Sequence, residues 1–235
     1  MRVEIWSDVI CPWCYIGKAR FEKGLAAFAG RDDVEVVHRS FELSAGAPRN
    51  GRQALGPELK AKYGWDDAQL KAMEDRVGAA AAAEGLGMRH DRFVTGTFDL
   101  HRVLHLAKER GLQDELLDAF YTANFAEARP ISEDDTIVDI AAGAGLDADE
   151  VRKVLADENA YADAVRADEK EAAELGANGV PFFVIDRRFA VSGGQPAQVF
   201  TQALEQAAAA GGLQTVAGTG DDGAVCADDD ACDVP

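Results

Sequence analysis

The stretch SDVICPWCYIG at residues 7–17 carries the strongest signal in the sequence, a Cys-Pro-Trp-Cys motif. Alternating apolar and polar residues at Arg2–Ser7 predict a strand just before it, and apolar residues near helical spacing predict a helix just after it. Pro12 suits the first helical turn, where a backbone N–H has no partner within the helix. That turn offers N–H groups and the positive end of the helix dipole to the sulfur of Cys11, and both favour a thiolate. With Cys14 one turn later, the stretch predicts a dithiol that can close into a small disulfide.

A Cys-x-x-Cys motif is also half of a zinc ribbon. No second Cys-x-x-Cys motif and no His pair lies at the distance from Cys11 and Cys14 that a zinc ribbon or finger requires, so redox chemistry is favoured over a structural metal. His101 and His105 are four residues apart, which suits two ligands on one metal, but no Glu completes a His-Glu-x-x-His pattern. We therefore predict that both histidines lie in the core or at the solvent edge of a helix. The prediction includes no metal and no cofactor.

The remaining sequence predicts the order β-α-β, then an all-helical block, then β-β-α. Ser44–Gly56 is rich in Gly, Pro, Ala and Asn and predicts a loop that leaves the first β-α-β unit. The other predicted strands are Val34–Leu43, Pro181–Asp186 and Phe189–Val191. Helices are predicted at Asp66–Glu84, Phe98–Arg110, Asp114–Ala126, Asp134–Gly143 and Ala148–Asp157, in a run ending at Leu175, and at Pro196–Ala210.

Val180-Pro181 is the second signal. Pro181 follows Asn178-Gly179 and opens an apolar strand, which by itself is typical of a turn proline entering an edge strand. Together with the cysteine motif, it resembles the proline loop of thioredoxin-fold proteins, in which a cis bond sets the preceding backbone opposite the active cysteines. We therefore predict a cis bond, although only about 5–6% of X–Pro bonds are cis.

Residues 7–17, together with the later stretch GVPFFV at residues 179–184, resemble the DsbA-like family of the thioredoxin superfamily, and in particular its FrnE-like cytoplasmic members. The resemblance implies an α/β thioredoxin fold with an all-helical insertion. With that fold, we expect residues 1–43 and 176–210 to form a discontinuous thioredoxin-like domain and residues 44–175 to form the insertion. Residues 211–235 lie beyond the resemblance, and their composition predicts an acidic C-terminal tail with a Cys pair.

The resemblance also implies roles for the site residues. Cys11 would be the attacking nucleophile and Cys14 the resolving thiol of a thiol–disulfide oxidoreductase. Val180-Pro181 would be a backbone clamp for an extended substrate segment, with Pro12 and Trp13 as further substrate-binding residues. Trp13 has two interpretations, a stacking surface for substrate or a ring that covers the start of the helix.

One position departs from the family pattern. Thioredoxin-like proteins often carry an acidic residue in the first strand, six positions before the first cysteine, and Ile5 occupies that position here. Glu4 is adjacent but points to the opposite face of a strand, which makes it a poor substitute. Proton transfer to or from Cys14 therefore requires another group or water.

The C-terminal tail holds a second cysteine pair, Cys226 and Cys232, with five residues between them. These cysteines could form an independent disulfide, remain inert thiols, or bind a soft metal as a thiolate pair. An exposed pair is prone to oxidation, so its presence beside an active-site pair favours exchange between the two. We predict that Cys226 and Cys232 form a second redox pair.

The composition and the N-terminal sequence limit the expected classes of binding partner and the expected compartment. The formal net charge is −18 over 235 residues, which argues against nucleic acid or an anionic membrane surface as a partner. The N-terminal residues lack the apolar run and cleavage site of a secretory signal, which favours the cytoplasm. Protein thiols and disulfides, or small thiols, are the expected substrates. Two alternatives remain: a glutathione-dependent isomerase or transferase of the same fold, and a non-enzymatic thiolate metal-binding protein or chaperone.

Overall fold

The computed structural model describes residues 1–49, 53–209 and, for the backbone alone, 214–215. The chain divides into two compact units, which we call the sheet unit (Met1–Leu43 and Asp168–Pro235) and the helical unit (Ser44–Ala167). The return to the sheet unit lies at Asp168, earlier than the predicted residue 176. Asp168 belongs to the sheet unit because its carboxylate accepts hydrogen bonds from Arg39 and from the backbone N–H of Ser40, which are both in that unit.

The sheet unit is built on five strands in the order β2-β1-β3-β4-β5. The strands are β1 (Arg2–Ser7), β2 (Glu35–Ser40), β3 (Phe182–Ile185), β4 (Phe189–Ser192) and β5 (Gln214–Thr215). β1 pairs in parallel with β2 and antiparallel with β3, β3 pairs antiparallel with β4, and β4 pairs in parallel with β5. The parallel crossover between β1 and β2 is made by helix α1 (Pro12–Ala27). β5 was not predicted.

Helices α1 and α9 (Ala197–Ala209) cover one face of the sheet. The alternation of β1 explains which face: Val3 and Ile5 join a buried core with Phe21, Phe183 and Phe200. Close helix packing is possible because Gly24 has no side chain. A Cβ there would lie 2.5 Å from the Ala197 carbonyl oxygen.

The helical unit contains six complete helices in its described residues and the start of a seventh, α8. They are α2 (Leu55–Tyr63), α3 (Asp67–Ala83), α4 (Phe98–Arg110), α5 (Gln113–Tyr121), α6 (Asp134–Gly143) and α7 (Ala148–Ala156), followed by α8 (Ala162–Glu174), which crosses into the sheet unit. α5 continues as one π-helical turn, Thr122–Ala126. α2 was not predicted, because it buries none of its residues and so shows no apolar stripe.

The predicted architecture is confirmed: a β-α-β unit, an all-helical insertion and a β-β-α unit form a thioredoxin fold. In the described part of the chain, the helices are too short or too polar for any of them to cross a bilayer.

A candidate thiol active site at the start of the first helix

Cys11 is the residue immediately before α1 and acts as its N-terminal cap position. Its carbonyl oxygen accepts hydrogen bonds from the N–H groups of Cys14, at 3.1 Å, and Tyr15, at 3.3 Å. Both cysteines are free thiols, with Cys11 0% and Cys14 1% exposed. The structure therefore shows the reduced form of a dithiol at a helix N-terminus, where the helix dipole favours a negative charge.

The Val180-Pro181 peptide bond is cis, which confirms the prediction. The thiol of Cys11 donates a hydrogen bond to the carbonyl oxygen of Val180, with 3.6 Å between sulfur and oxygen. The topology explains this contact. Trp6 near the end of β1 pairs with Phe182 at the start of β3, and the two strands are antiparallel. The residues that follow β1 therefore lie beside the residues that precede β3.

Two glycines allow α1 to pack directly on the proline loop. A Cβ on Gly17 would lie 3.0 Å from Pro181 Cγ and 3.1 Å from the Cα of Gly194. The N–H of Gly193 donates to the Pro181 carbonyl oxygen at 2.8 Å, and Arg20 donates to the Gly194 carbonyl oxygen at 2.7 Å. The turn at residues 193–195 therefore joins the proline loop to α1.

Burial raises the pKa of Cys14 well above its ordinary value. A hydrogen bond with Cys11 and the negative charge of a Cys11 thiolate raise this pKa further. A backbone hydrogen bond from Asp8 lowers it, and the charge of Asp8 has the smallest effect, which is to raise it. Cys14 therefore keeps its proton at neutral pH. Protonation at neutral pH is expected of a resolving thiol, which reacts only after a mixed disulfide has formed.

Asp8 was not singled out as a candidate from the sequence. It is 0% exposed, and its carboxylate accepts hydrogen bonds from the backbone N–H groups of Leu43, at 2.7 Å, and Ile10, at 3.4 Å. Its carbonyl oxygen accepts the N–H of Cys11 at 3.1 Å. Asp8 therefore shapes the turn between β1 and α1. An Asp followed three residues later by the first cysteine was the signal that could have identified it.

Glu4 lies on the sheet face opposite Ile5, as expected from the alternation of β1, and Ile5 is part of the buried core. Glu4 is 2% exposed and is bonded by the guanidinium groups of Arg39 and Arg187. Burial opposes its ionisation, but hydrogen bonds and charges from Arg187 and Arg39 outweigh burial and lower the pKa of Glu4. Glu4 is therefore a fixed charge within an ion-pair cluster and is remote in role from the thiols.

The other predicted residues have clear positions. Trp13 is 2% exposed and Pro12 is half-buried, so in this conformation Trp13 is enclosed and does not form an open stacking surface. His101 and His105 are both buried within the helical unit, where the ring of His105 stacks on Tyr161 with 6.4 Å between centroids. They are core residues, in agreement with one of the predicted alternatives. Cys226 and Cys232 lie outside the described residues.

Comparison with known proteins identifies the family. The sequence pattern of the DSBA-like thioredoxin domain matches residues 2–205 of this chain. The chain belongs to the DsbA-like family. The crystal structure of the "probable DsbA oxidoreductase SCO1869" from Streptomyces coelicolor is 63% identical, with a TM-score of 0.87, and the match covers 91% of this chain and 93% of that one.

Two further proteins are similar to this chain at lower sequence identity. The "Uncharacterized protein YwbO" of Bacillus subtilis is 27% identical over 79% of this chain and 86% of its own length. The "cytosolic disulfide reductase DsbM" from Pseudomonas aeruginosa, in a structure with GSH, is 17% identical with a TM-score of 0.54, and the match covers 88% of this chain and 96% of that one. At that identity the similarity establishes the fold.

Proposed function

We propose that this DsbA-like protein is a thiol–disulfide oxidoreductase that cycles Cys11 and Cys14 between dithiol and disulfide. The observation that carries the proposal is the contact of the Cys11 thiol with the Val180 carbonyl, at the start of α1 and directly before the cis proline. A thiol at this position lies between the N-terminus of α1 and the backbone of Val180-Pro181, with which a substrate segment would pair. The 63% identity to a protein named as a DsbA oxidoreductase agrees with the proposal.

The proposed reaction has two steps. The Cys11 thiolate attacks one sulfur of a substrate disulfide, which forms a mixed disulfide and releases the other substrate sulfur as a thiolate. Cys14 then loses its proton and attacks Cys11, which closes the Cys11–Cys14 disulfide and releases the second substrate sulfur. The substrate gains two electrons and the dithiol loses two. Oxidation of a substrate is the same sequence in reverse.

Substrate binding is assigned to the elements around Cys11. Val180 and Pro181 would pair with an extended segment next to the substrate cysteine, and Pro12 and Trp13 would contact the same segment. Because Cys11 and Trp13 are buried in the reduced form, binding requires these side chains to become accessible. Protein disulfides and small thiols are both proposed as substrates, and the GSH present in the DsbM structure supports the small-thiol class.

The test combines turnover with trapping. Insulin reduction by the full chain should require Cys11, and a Cys14→Ser variant should accumulate a mixed disulfide on Cys11 that mass spectrometry detects. A Trp65→Phe variant, altered in the helical unit away from both cysteines in sequence, serves as the matched control. An active Cys11→Ser variant would contradict the proposal.

The same tests separate the alternatives. A glutathione-dependent isomerase or transferase would act on a suitable substrate without needing Cys14. A thiolate metal-binding protein would retain metal stoichiometrically through dialysis, and a chaperone would suppress aggregation of a client in a Cys11→Ser variant. The paired buried thiols favour dithiol cycling, because a glutathione-activating site has no use for a resolving cysteine.

A second part of the proposal concerns Cys226 and Cys232, which we assign as a second redox pair that exchanges with Cys11 and Cys14. The direction of β5 favours it. β5 is parallel to β4, and β4 runs in the same direction as β1 through two antiparallel pairings, so β5 runs toward the end of the sheet from which β1 leads to Cys11.

The chain length is sufficient for such an exchange. β5 and β1 are three strand spacings apart, or about 14 Å. Cys226 is eleven positions after Thr215, and a chain of that length can extend to at most about 36 Å. Replacing both tail cysteines with Ser should change the turnover and the reduction potential of the Cys11/Cys14 pair. Unchanged values, with no Cys11-to-tail species in a Cys14→Ser background, would make the tail an independent site.

We also propose a cytoplasmic location, where a reducing environment keeps exposed thiols reduced. Subcellular fractionation of the native protein, with alkylation of its thiols at the moment of lysis, tests this. Recovery of the protein in an extracytoplasmic fraction would contradict it.

A further inference from the structure

The buried guanidinium group of Arg20 joins α1 to the turn that follows β4. Its Nη1 donates a hydrogen bond to the Gly194 carbonyl oxygen at 2.7 Å, and these two residues are 174 positions apart in the sequence. The turn also packs closely on the start of α1, because a Cβ on Gly194 would lie 3.0 Å from the Trp13 carbonyl oxygen. Arg20 therefore fixes the turn to the helix that carries the cysteines.

The same turn holds the segment that contacts Cys11. The N–H of Gly193 donates a hydrogen bond to the Pro181 carbonyl oxygen at 2.8 Å. The carbonyl oxygen of Val180, the residue before Pro181, accepts the hydrogen bond from the Cys11 thiol at 3.6 Å. A movement of the turn would therefore be transmitted through one peptide unit to the acceptor of the Cys11 thiol.

These contacts form a closed path within the sheet unit. The path runs from α1 through Arg20 to the turn, from the turn to Pro181, and from Val180 back to Cys11 at the start of α1. Because both ends of the path lie on α1, the Arg20 bond limits how far the Val180 carbonyl oxygen can move from the Cys11 sulfur.

We propose that Arg20 is a positioning residue that holds the Val180 carbonyl oxygen at the Cys11 thiol and thereby sets how readily the Cys11/Cys14 pair is oxidised. The contact requires a hydrogen on the Cys11 sulfur, so it stabilises the dithiol and is lost when the disulfide forms. The inference deepens the proposed function and rests on it for the redox cycle.

The first measurement is the equilibrium of the pair with glutathione. In the full chain with Cys226→Ser and Cys232→Ser, the dithiol passes two electrons and two protons to GSSG, which is cleaved to two GSH while the active-site disulfide forms. Arg20→Met should raise the equilibrium constant for this oxidation about two- to tenfold, because the dithiol loses a hydrogen bond that stabilises it. Arg20→Lys keeps the charge and a donor group, and its equilibrium constant should lie closer to that of the unaltered residue.

The second measurement follows the turn itself and needs no redox chemistry. The Gly193 N–H is protected from hydrogen exchange by its bond to the Pro181 carbonyl oxygen. Arg20→Met should increase the exchange rate of this amide several-fold, as measured by NMR, because the turn opens more often without the Arg20 bond. Arg20→Gln is a second neutral variant for both measurements if Arg20→Met does not fold.

Thr201→Val is the matched control. The Thr201 hydroxyl of α9 is hydrogen-bonded to the Gly24 carbonyl oxygen at 2.9 Å, so it also joins α1 to an element distant in sequence. That bond is not part of the path to Cys11. The control should lower the free energy of unfolding and leave both the glutathione equilibrium and the Gly193 exchange rate unchanged.

The possible results separate the inference from the proposed function. An unchanged glutathione equilibrium in a folded neutral Arg20 variant would overturn the inference alone. A shifted equilibrium without faster Gly193 exchange, or an equal shift in Thr201→Val, would also overturn it, because the effect would then come from charge or from general loss of stability. A chain that forms no active-site disulfide in any variant would contradict the proposed function and the inference together.

Discussion

Two buried polar clusters lie along β1, and they are held in opposite ways. On one face, Glu4 is bonded to Arg39 and Arg187, and Arg39 is also bonded to Asp168. Just after the strand, the buried Asp8 carboxylate accepts hydrogen bonds from the backbone N–H groups of Ile10 and Leu43, and Cys14 is buried beside Cys11. The first arrangement lowers the pKa of Glu4, whereas burial and like charge raise the pKa of Cys14.

This difference separates stability from reactivity. A charge paired with opposite charges has one protonation state across the physiological range and contributes to holding the elements together. A buried thiol with negative charge nearby has a raised pKa, and its protonation state changes during the proposed reaction. We expect changes to the ion-pair cluster to affect unfolding and changes at the thiol site to affect turnover.

The largest expected effect is on turnover. Cys11→Ser should reduce insulin reduction to the uncatalysed rate, because the serine hydroxyl cannot form a mixed disulfide. The free energy of unfolding should change little, since the two side chains are similar in size. Turnover is followed by insulin turbidity and stability by urea unfolding. A large loss of stability with residual turnover would remove the distinction between the two clusters.

The next effect is on stability. Arg39→Ala leaves the buried carboxylates of Glu4 and Asp168 with less positive charge and should cost about 3–5 kcal/mol of unfolding free energy. The initial rate of insulin reduction, measured at low temperature where the variant stays folded, should be close to that of the unaltered chain. An Arg152→Ala variant, which breaks an exposed pair with Asp149, is the control and should change stability by about 0–1 kcal/mol.

A smaller effect is expected at Gly17, where a substitution should affect both stability and turnover. Gly17→Ala introduces a Cβ that would lie 3.0 Å from Pro181 and 3.1 Å from Gly194, so the proline loop or the turn at Gly194 must shift. We expect a cost of about 1–3 kcal/mol in stability and a several-fold decrease in turnover. Gly143→Ala, at the end of α6 with open space around it, is the matched control. Equal turnover in both variants would show that the packing at Gly17 is not needed for the reaction.

The smallest effect is the pH dependence of stability due to Glu4. Its pKa is lower in the folded protein than the value of 4.5 for a free side chain, so its contribution is present above that pH and is lost as pH falls through the folded-state pKa. Glu4→Gln should therefore make the loss of stability below about pH 4.5 less steep. Urea unfolding at several acidic pH values measures this. An unchanged slope would show that Glu4 is not stabilised by its arginines.

The sequence predicted the first β-α-β unit and the final β-β-α unit well, for physical reasons. The cysteine motif and Val180-Pro181 combine local backbone requirements with reactive or restricted residues, so their positions follow from short stretches. α2 buries no residue and has no periodic apolar pattern, which made it indistinguishable from a loop. β5 has two residues and depends on pairing with β4, a contact distant in sequence.

The site was predicted less completely than the fold. The partners of Asp8 and the contact of Gly17 with Pro181 and Gly194 depend on elements far apart in the chain. Trp13 offered two interpretations that only its burial could separate. The alternation of β1 indicated that Glu4 points away from the face of Ile5 and so is a poor substitute for the family's acidic residue. Its arginine partners come from β2 and the β3–β4 turn and had no local signal in the sequence.

The most direct test of the central claim is a redox titration of the full chain with Cys226→Ser and Cys232→Ser, in defined mixtures of oxidised and reduced glutathione. We predict one intramolecular disulfide between Cys11 and Cys14, identified by peptide mass spectrometry, with a reduction potential between about −270 and −120 mV. Insulin reduction should depend on the fraction of chains in the dithiol form. A chain that forms no Cys11–Cys14 disulfide, or that reduces insulin equally well whether or not this disulfide is present, would contradict the account.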